Sequence, residues 1–166
     1  MHGAVTAALH VDERGCFVAC EDNRLYAFDR QSGKPLWPAV VCQGPLRQSP
    51  QVGDNTIFQY ALRDQLYALD VATGVLRWAM PAGRAVVGIA RDRGSQVFVL
   101  DAAGHLRVVE EISGQELVSV PISGLDVFLP NVTAPAVYAA SRSGRVVCIR
   151  PLTAGSLTME MLRGRP

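Results

Sequence analysis

The sequence predicts an all-β fold built from four equivalent small sheets. Three observations predict it. First, four segments align without a gap: 16–28 (CFVACEDNRLYAF), 57–69 (IFQYALRDQLYAL), 97–109 (VFVLDAAGHLRVV) and 137–149 (VYAASRSGRVVCI), so that their starts recur at a nearly constant spacing. Second, fixed columns of these segments keep their chemistry. The second column is Phe17, Phe58, Phe98 and Tyr138, and the tenth is Leu25, Leu66, Leu106 and Val146. Third, a glycine follows each segment (Gly33, Gly74, Gly114, Gly155), the last after one extra residue near Pro151. Four residues past each glycine stands Trp37, Trp78, Val118 or Met159. A fixed period of about 40 residues is the mark of a stacked repeat.

Each element of the unit follows from local chemistry. A first strand is expected at 5–11, 47–52, 86–91 and 127–132, ahead of each aligned segment. The second strand is β-branched and aromatic, at 17–20, 56–58, 96–100 and 136–138. Asp22-Asn23, Arg63-Asp64, Ala103-Gly104 and Ser143-Gly144 then suit a hairpin turn, Arg63-Asp64 least well. A further strand follows, as at 65–70 and 105–110, and ends at the repeat glycine, which admits a left-handed backbone. The last strand carries the tryptophan, at 36–37 and 76–78. Four short antiparallel strands per unit describe one blade of a β-propeller, and blades stack because each has two apolar faces to cover. The approximate blades are 1–43, 44–83, 84–123 and 124–164. The repeats occupy the chain and leave no room for a separate catalytic domain.

Composition narrows the function classes. Of 166 residues 49% are hydrophobic and 19% charged, a composition that supports a core and excludes a disordered chain. Sixteen basic residues against fifteen acidic ones give +1, so there is no electrostatic drive toward nucleic acid or an anionic membrane. No apolar run has the roughly 18 residues a membrane helix needs. The start, Met1-His2-Gly3-Ala4 with Asp12 and Glu13 close behind, does not read as a signal peptide, and a cytoplasmic location is expected.

Two copies of the unit carry a fuller pattern: Ala27-x-Asp29-x-x-Ser32-Gly33-x-x-x-Trp37 and Ala68-x-Asp70-x-x-Thr73-Gly74-x-x-x-Trp78. This resembles the repeat of the PQQ-like (pyrroloquinoline-quinone-type, quinoprotein) β-propeller family. In copies three and four Glu110 and Arg150 stand near the aspartate position, and Val118 and Met159 replace tryptophan. The resemblance implies that the tryptophan docks between blades, and it implies a ring of seven or eight blades where this chain encodes about four. Three arrangements follow: half of an eight-bladed ring completed by a second copy, a piece of a larger propeller, or a four-bladed ring closed alone. The open or dimerising array is favoured. Quinone-dependent dehydrogenases share the repeat, and the resemblance implies for them a calcium held by carboxylate and amide oxygens, a catalytic aspartate and often a disulfide between adjacent cysteines. No adjacent cysteine pair and no compact acidic cluster occurs here, so neither quinone nor calcium is expected.

The remaining candidates have structural readings. Cys16 and Cys20 share a strand face, but over ~12 Å of strand separates them, and a second ligand pair is missing; Cys42 and Cys148 read likewise as free thiols. His2, His10 and His105 are scattered. No Gly-x-Ser-x-Gly elbow and no phosphate-binding loop is present. Trp37 and Trp78 read as interblade core. The innermost strands would line an axial channel, and their polar members His10, Arg47, Gln48, Arg91 and Asn131 are the candidate ligand contacts. The expected function is a non-enzymatic scaffold or interaction module that binds protein or peptide partners through loops or channel. A homodimer, or completion by another propeller segment, is expected. The alternatives are a fragment or subunit of a quinone-dependent oxidoreductase and an accessory sensor domain of a larger multidomain enzyme.

Overall fold

The computed structural model describes residues 2–63, 65–83, 86–90, 96–101, 103–122, 124–125, 127–129 and 136–149. Among these every regular element is a β-strand. Sheet 1 holds β1 (His10–Asp12), β2 (Gly15–Cys20), β3 (Arg24–Phe28) and β4 (Val40–Val41). Sheet 2 holds β5 (Gln51–Val52), β6 (Thr56–Ala61), β7 (Gln65–Asp70) and β8 (Leu76–Pro81). Sheet 3 holds β9 (Val86–Ala90), β10 (Gln96–Leu100), β11 (His105–Glu110) and β12 (Glu116–Pro121). Sheet 4 holds β13 (Val127–Leu129), β14 (Val137–Ala140) and β15 (Val146–Ile149). In every sheet chain neighbours pair antiparallel in chain order.

The aligned segments form the central hairpin of each sheet in one register: Phe17 faces Ala27, Phe58 faces Ala68, Phe98 faces Val108 and Tyr138 faces Cys148. The hairpin turns need left-handed backbone, met at Asn23 (φ 67°), Arg63 (φ 86°), Gly104 (φ 83°) and Gly144 (φ 90°). Because side chains alternate along a strand, the aromatic and leucine columns share one face. Phe17 and Leu25 pack against Ile57 and Leu69 of sheet 2. Phe58 and Leu66 pack against Val97 and Val109 of sheet 3. Phe98 and Leu106 pack against Val137 and Ile149 of sheet 4. The described residues thus contain three inter-sheet cores, each between consecutive sheets.

The repeat motif is a lock between sheets. Asp29 Oδ1 accepts the Ser32 amide at 2.7 Å and its hydroxyl at 2.6 Å. Asp70 Oδ1 does the same with the Thr73 amide and hydroxyl, both at 2.9 Å. In the third copy Glu110 Oε2 accepts the Ser113 amide at 2.6 Å, so the longer acid still holds the turn. The glycine that ends the turn is left-handed, at φ 70° for Gly74 and 69° for Gly114. Its missing side chain makes room for the indole of the preceding sheet. A Cβ on Gly74 would stand 2.6 Å from Trp37 Cδ2, and one on Gly114 2.6 Å from Trp78 Cγ. Each indole N–H donates across the same interface, Trp37 to the Val71 carbonyl at 3.3 Å and Trp78 to the Glu111 carbonyl at 2.8 Å.

Three expectations about elements are corrected. Trp37 lies off any strand, because Pro35 and Pro38 flank it and proline cannot donate to a ladder; β4 begins only at Val40. The first strands expected at 5–11 and 47–52 shorten to His10–Asp12 and Gln51–Val52. Arg47 and Gln48 therefore sit in the loop before β5. Asp64, Arg91, Asn131, Arg150, Pro151, Gly155 and Met159 lie outside the described residues.

Glycine substitutions separate the two demands of the lock. Gly33→Ala, with nothing near its missing Cβ, is expected to cost roughly 1–2 kcal/mol for the left-handed backbone alone. Gly74→Ala adds the collision with Trp37 and is expected to cost clearly more in denaturant unfolding. Trp37→Ala, which removes a buried indole, is expected to cost roughly 3–5 kcal/mol, and Trp78→Ala less, since its ring is partly exposed.

Candidate functional site

The polar residues expected near an axis have definite partners. His10 is half-buried on β1, its Nε2 3.4 Å from Asp12 Oδ2 and its ring 6.2 Å from that of Phe17. Arg14 holds the same carboxylate through its amide at 2.8 Å and its Nε at 2.9 Å. The Arg14 Nη1 then donates to the carbonyls of Gly53 at 2.6 Å and Asp54 at 2.7 Å, bridging sheets 1 and 2. Partial burial pushes the Asp12 carboxyl up, but the bonds from Arg14 outweigh it and hold its pKa below the ordinary value.

Arg47 is exposed and its Nε lies 3.1 Å from Glu21 Oε1, which also accepts the Thr6 hydroxyl at 3.1 Å. The Gln48 carbonyl accepts Nε2 of the buried Gln59 at 3.1 Å. The Ser49 hydroxyl donates to the Ala8 carbonyl at 2.7 Å. The segments leading into β1 and β5 therefore run side by side, which places His10 and the 47–49 stretch on the same flank of two sheets. Thr6, Glu21 and Ser49 were not candidates in the sequence, because their positions keep no common chemistry from repeat to repeat and carry no motif.

The thiol candidates are separate and unpaired: Cys20 and Cys42 are buried, Cys16 and Cys148 half-exposed. Burial pushes the Cys42 thiol up to about 12, so it stays protonated and inert. His105 lies 3.6 Å from Asp101, a carboxylate already capping the Ala103-Gly104 turn. His2 donates its amide to Asp22 Oδ2 at 2.9 Å. Among the described residues no three His, Cys, Asp or Glu side chains group so as to hold a metal ion.

Among the described residues one strand edge is bare along its whole length. β12 is the outer strand of sheet 3, and all six of its residues are exposed, Leu117, Val118 and Val120 among them. In sheet 2 the corresponding β8 turns Trp78 and Met80 toward the core. Beside β12 runs a largely apolar groove of about 390 Å³ between sheets 3 and 4, lined by Leu106, Val120, Ile122, Arg145, Val147 and Ile149.

Residues 1–163 match the family model described as outer membrane protein assembly factor BamB. No curated protein matches the chain. Among solved structures, BamB from Moraxella catarrhalis is similar over 98% of this chain and 48% of its own, with 18% identity and a TM-score of 0.68. The computationally designed Ika4 protein is similar over 90% of this chain and 92% of its own, with 17% identity and a TM-score of 0.64. The WD40 repeats of RRP9 are similar over 88% of this chain and 48% of that one, with 14% identity and a TM-score of 0.66. The chain spans about half the length of the BamB and RRP9 chains. The fold is that of a β-propeller.

The carboxylates that hold the turns are the groups through which acid is expected to act on the fold. Hydrogen bonds from the Ser32 side chain and amide hold Asp29 below its usual value, and those of Ser113 do so for Glu110. Asp70 is raised by partial burial but lowered more by Arg77 and Thr73. A depressed carboxylate contributes fully above its unfolded value and loses that contribution as pH falls through the folded one. The melting temperature is therefore expected to be flat near neutrality and to fall below about pH 4. Asp70→Asn is expected to flatten part of that acid limb in a pH series of thermal melts.

Proposed function

Because the chain belongs to the family of the outer membrane protein assembly factor BamB, we propose that it is a non-enzymatic scaffold that binds protein or peptide partners. The observation that carries this reading is the bare β12 edge. An edge strand presents a row of backbone donors and acceptors to which an extended segment can add as a further strand. Leu117, Val118 and Val120 supply apolar contacts along it, and the adjoining groove adds room for side chains. The polar flank of His10, Arg47 and Gln48 offers a second contact area, toward the axial channel.

The oligomeric part of the proposal is that a second propeller segment completes the ring, in the form of a homodimer. Three cores for four sheets among the described residues support it, since the terminal sheets then each keep one face without a partner.

Two measurements test the scaffold reading. Extended apolar peptides selected from a display library against the chain are expected to lose at least tenfold in affinity on Val118→Asp, with the melting temperature unchanged because that side chain is exposed. Adding the quinone with calcium is expected to give neither a cofactor absorbance shift nor dye-linked alcohol oxidation. Turnover there would replace the scaffold with an oxidoreductase.

A further inference from the structure

The two end faces of the array are unsatisfied in matching ways. The aromatic column is 0%, 1% and 2% exposed at Phe17, Phe58 and Phe98 but 40% at Tyr138. The leucine column is 0%, 0% and 2% exposed at Leu25, Leu66 and Leu106 but 74% at Val146. Both columns belong to the face that each sheet turns toward the next one, and on sheet 4 that face is open among the described residues.

The opposite face is open on sheet 1. Ile57, Val97 and Val137, which meet the preceding sheet, are fully buried, whereas Cys16 in the same column is half-exposed. Leu69 and Val109 are fully buried, whereas their counterpart Phe28 is only half-buried and stacks on Tyr26 with centroids 6.1 Å apart. Only the far end of this face is closed, at Val18 and Cys20, where residues 2–6 are tied by the Glu21 amide to the Ala4 carbonyl and by His2 to Asp22. The turn glycine tells the same story. Gly74 and Gly114 each receive the indole of the preceding sheet, and Gly33 has nothing within 4 Å of its missing Cβ.

We propose that a second copy of this chain docks head to tail on both ends, closing a two-fold ring of eight sheets. Sheet 4 of each copy lays Tyr138 and Val146 on Cys16, Tyr26 and Phe28 of sheet 1 of the other, and the open notch at Gly33 lies in that contact. A second copy is the occupant because each internal interface is made by these same columns. The face that sheet 4 offers is the one that sheets 1–3 already use, and sheet 1 offers the one that sheets 2–4 use. A two-fold axis makes both new contacts at once and covers the open faces of sheets 1 and 4 described above. Ring size agrees, since 98% of this chain follows the course of 48% of the BamB chain. The inference rests on the reading of a ring completed by a homodimer and adds which faces meet and in which sense.

Native thiols report the polarity. Cys148 lies on the open face of sheet 4, paired with Tyr138, and Cys16 on that of sheet 1, paired with Phe28. Light scattering of the full chain is expected to give twice the 17.9 kDa of one copy. A short bismaleimide is expected to join Cys16 of one copy to Cys148 of the other, read by peptide mass mapping. Val146→Asp, at an exposed site, is expected to keep the melting transition of the monomer and weaken dimerisation at least tenfold. Val75→Asp, also exposed but on a turn of sheet 2, is expected to leave the mass unchanged. A dimer linked Cys16 to Cys16 or Cys148 to Cys148, a dimer with no Cys16–Cys148 link, or one that Val146→Asp leaves intact overturns head-to-tail docking while the homodimer stands. The mass of a single copy at every concentration overturns both.

Discussion

A sheet of four short strands has two apolar faces and too little body to cover either. Everything else in this molecule is arranged around that constraint. Phe58 and Leu66 point one way from sheet 2 while Ile57 and Leu69 point the other, so neither set can be buried without a neighbour on each side. Burial of a large apolar side chain is worth about 1.5–3 kcal/mol, and these columns repeat it at each interface. The tryptophan lock adds a directional contact to this burial. An indole over a turn glycine, with its N–H on the carbonyl at 3.3 or 2.8 Å, fixes how far one sheet slides along the next.

This is also why so much of the fold could be read from the chain. Period-two alternation, repeated once per blade, is a direct image of faces buried on both sides. The hairpin register of β6–β7 and β10–β11, the left-handed glycines and the tryptophan contacts all follow from columns that recur. What was not legible is what does not recur. Trp37 left its strand because of two prolines that sheet 2 lacks at the same places. Arg47 and Gln48 left theirs because β5 pairs over only two residues. The bridge from Arg14 to Gly53 and Asp54, and the contacts among Thr6, Glu21 and Arg47, join parts of the chain through side chains in no shared column. No spacing rule could have found them.

The distinction bears on function. Most of the conspicuous residues in this sequence, the tryptophans, turn glycines, aspartates and aromatics, join sheets or hold turns. The proposed contact lies instead where the repeat decays. The decay is local and graded. In sheet 3 the turn survives the change from aspartate to glutamate, because Glu110 still reaches the Ser113 amide. The indole does not survive: Val118 stands in its place, and β12 is exposed along its whole length beside an apolar groove.

The sheet that lacks the tryptophan is also the one whose outer strand is exposed at every residue, whereas β8 of sheet 2 is partly covered. An edge strand with valines on its surface is an aggregation hazard in a protein that has no use for it. Natural edges are blunted by lysine, proline or a bulge; here proline closes only the end, at Pro121, and the β11–β12 pairing is bulged only near Val108 and Val109. The bulge puts Leu117 out of register, and Val118 to Val120 beyond it pair regularly with β11 and expose two valines. A surface of that kind is stable in solution when a partner strand covers it, which ties the weakest repeat of the array to its most accessible contact.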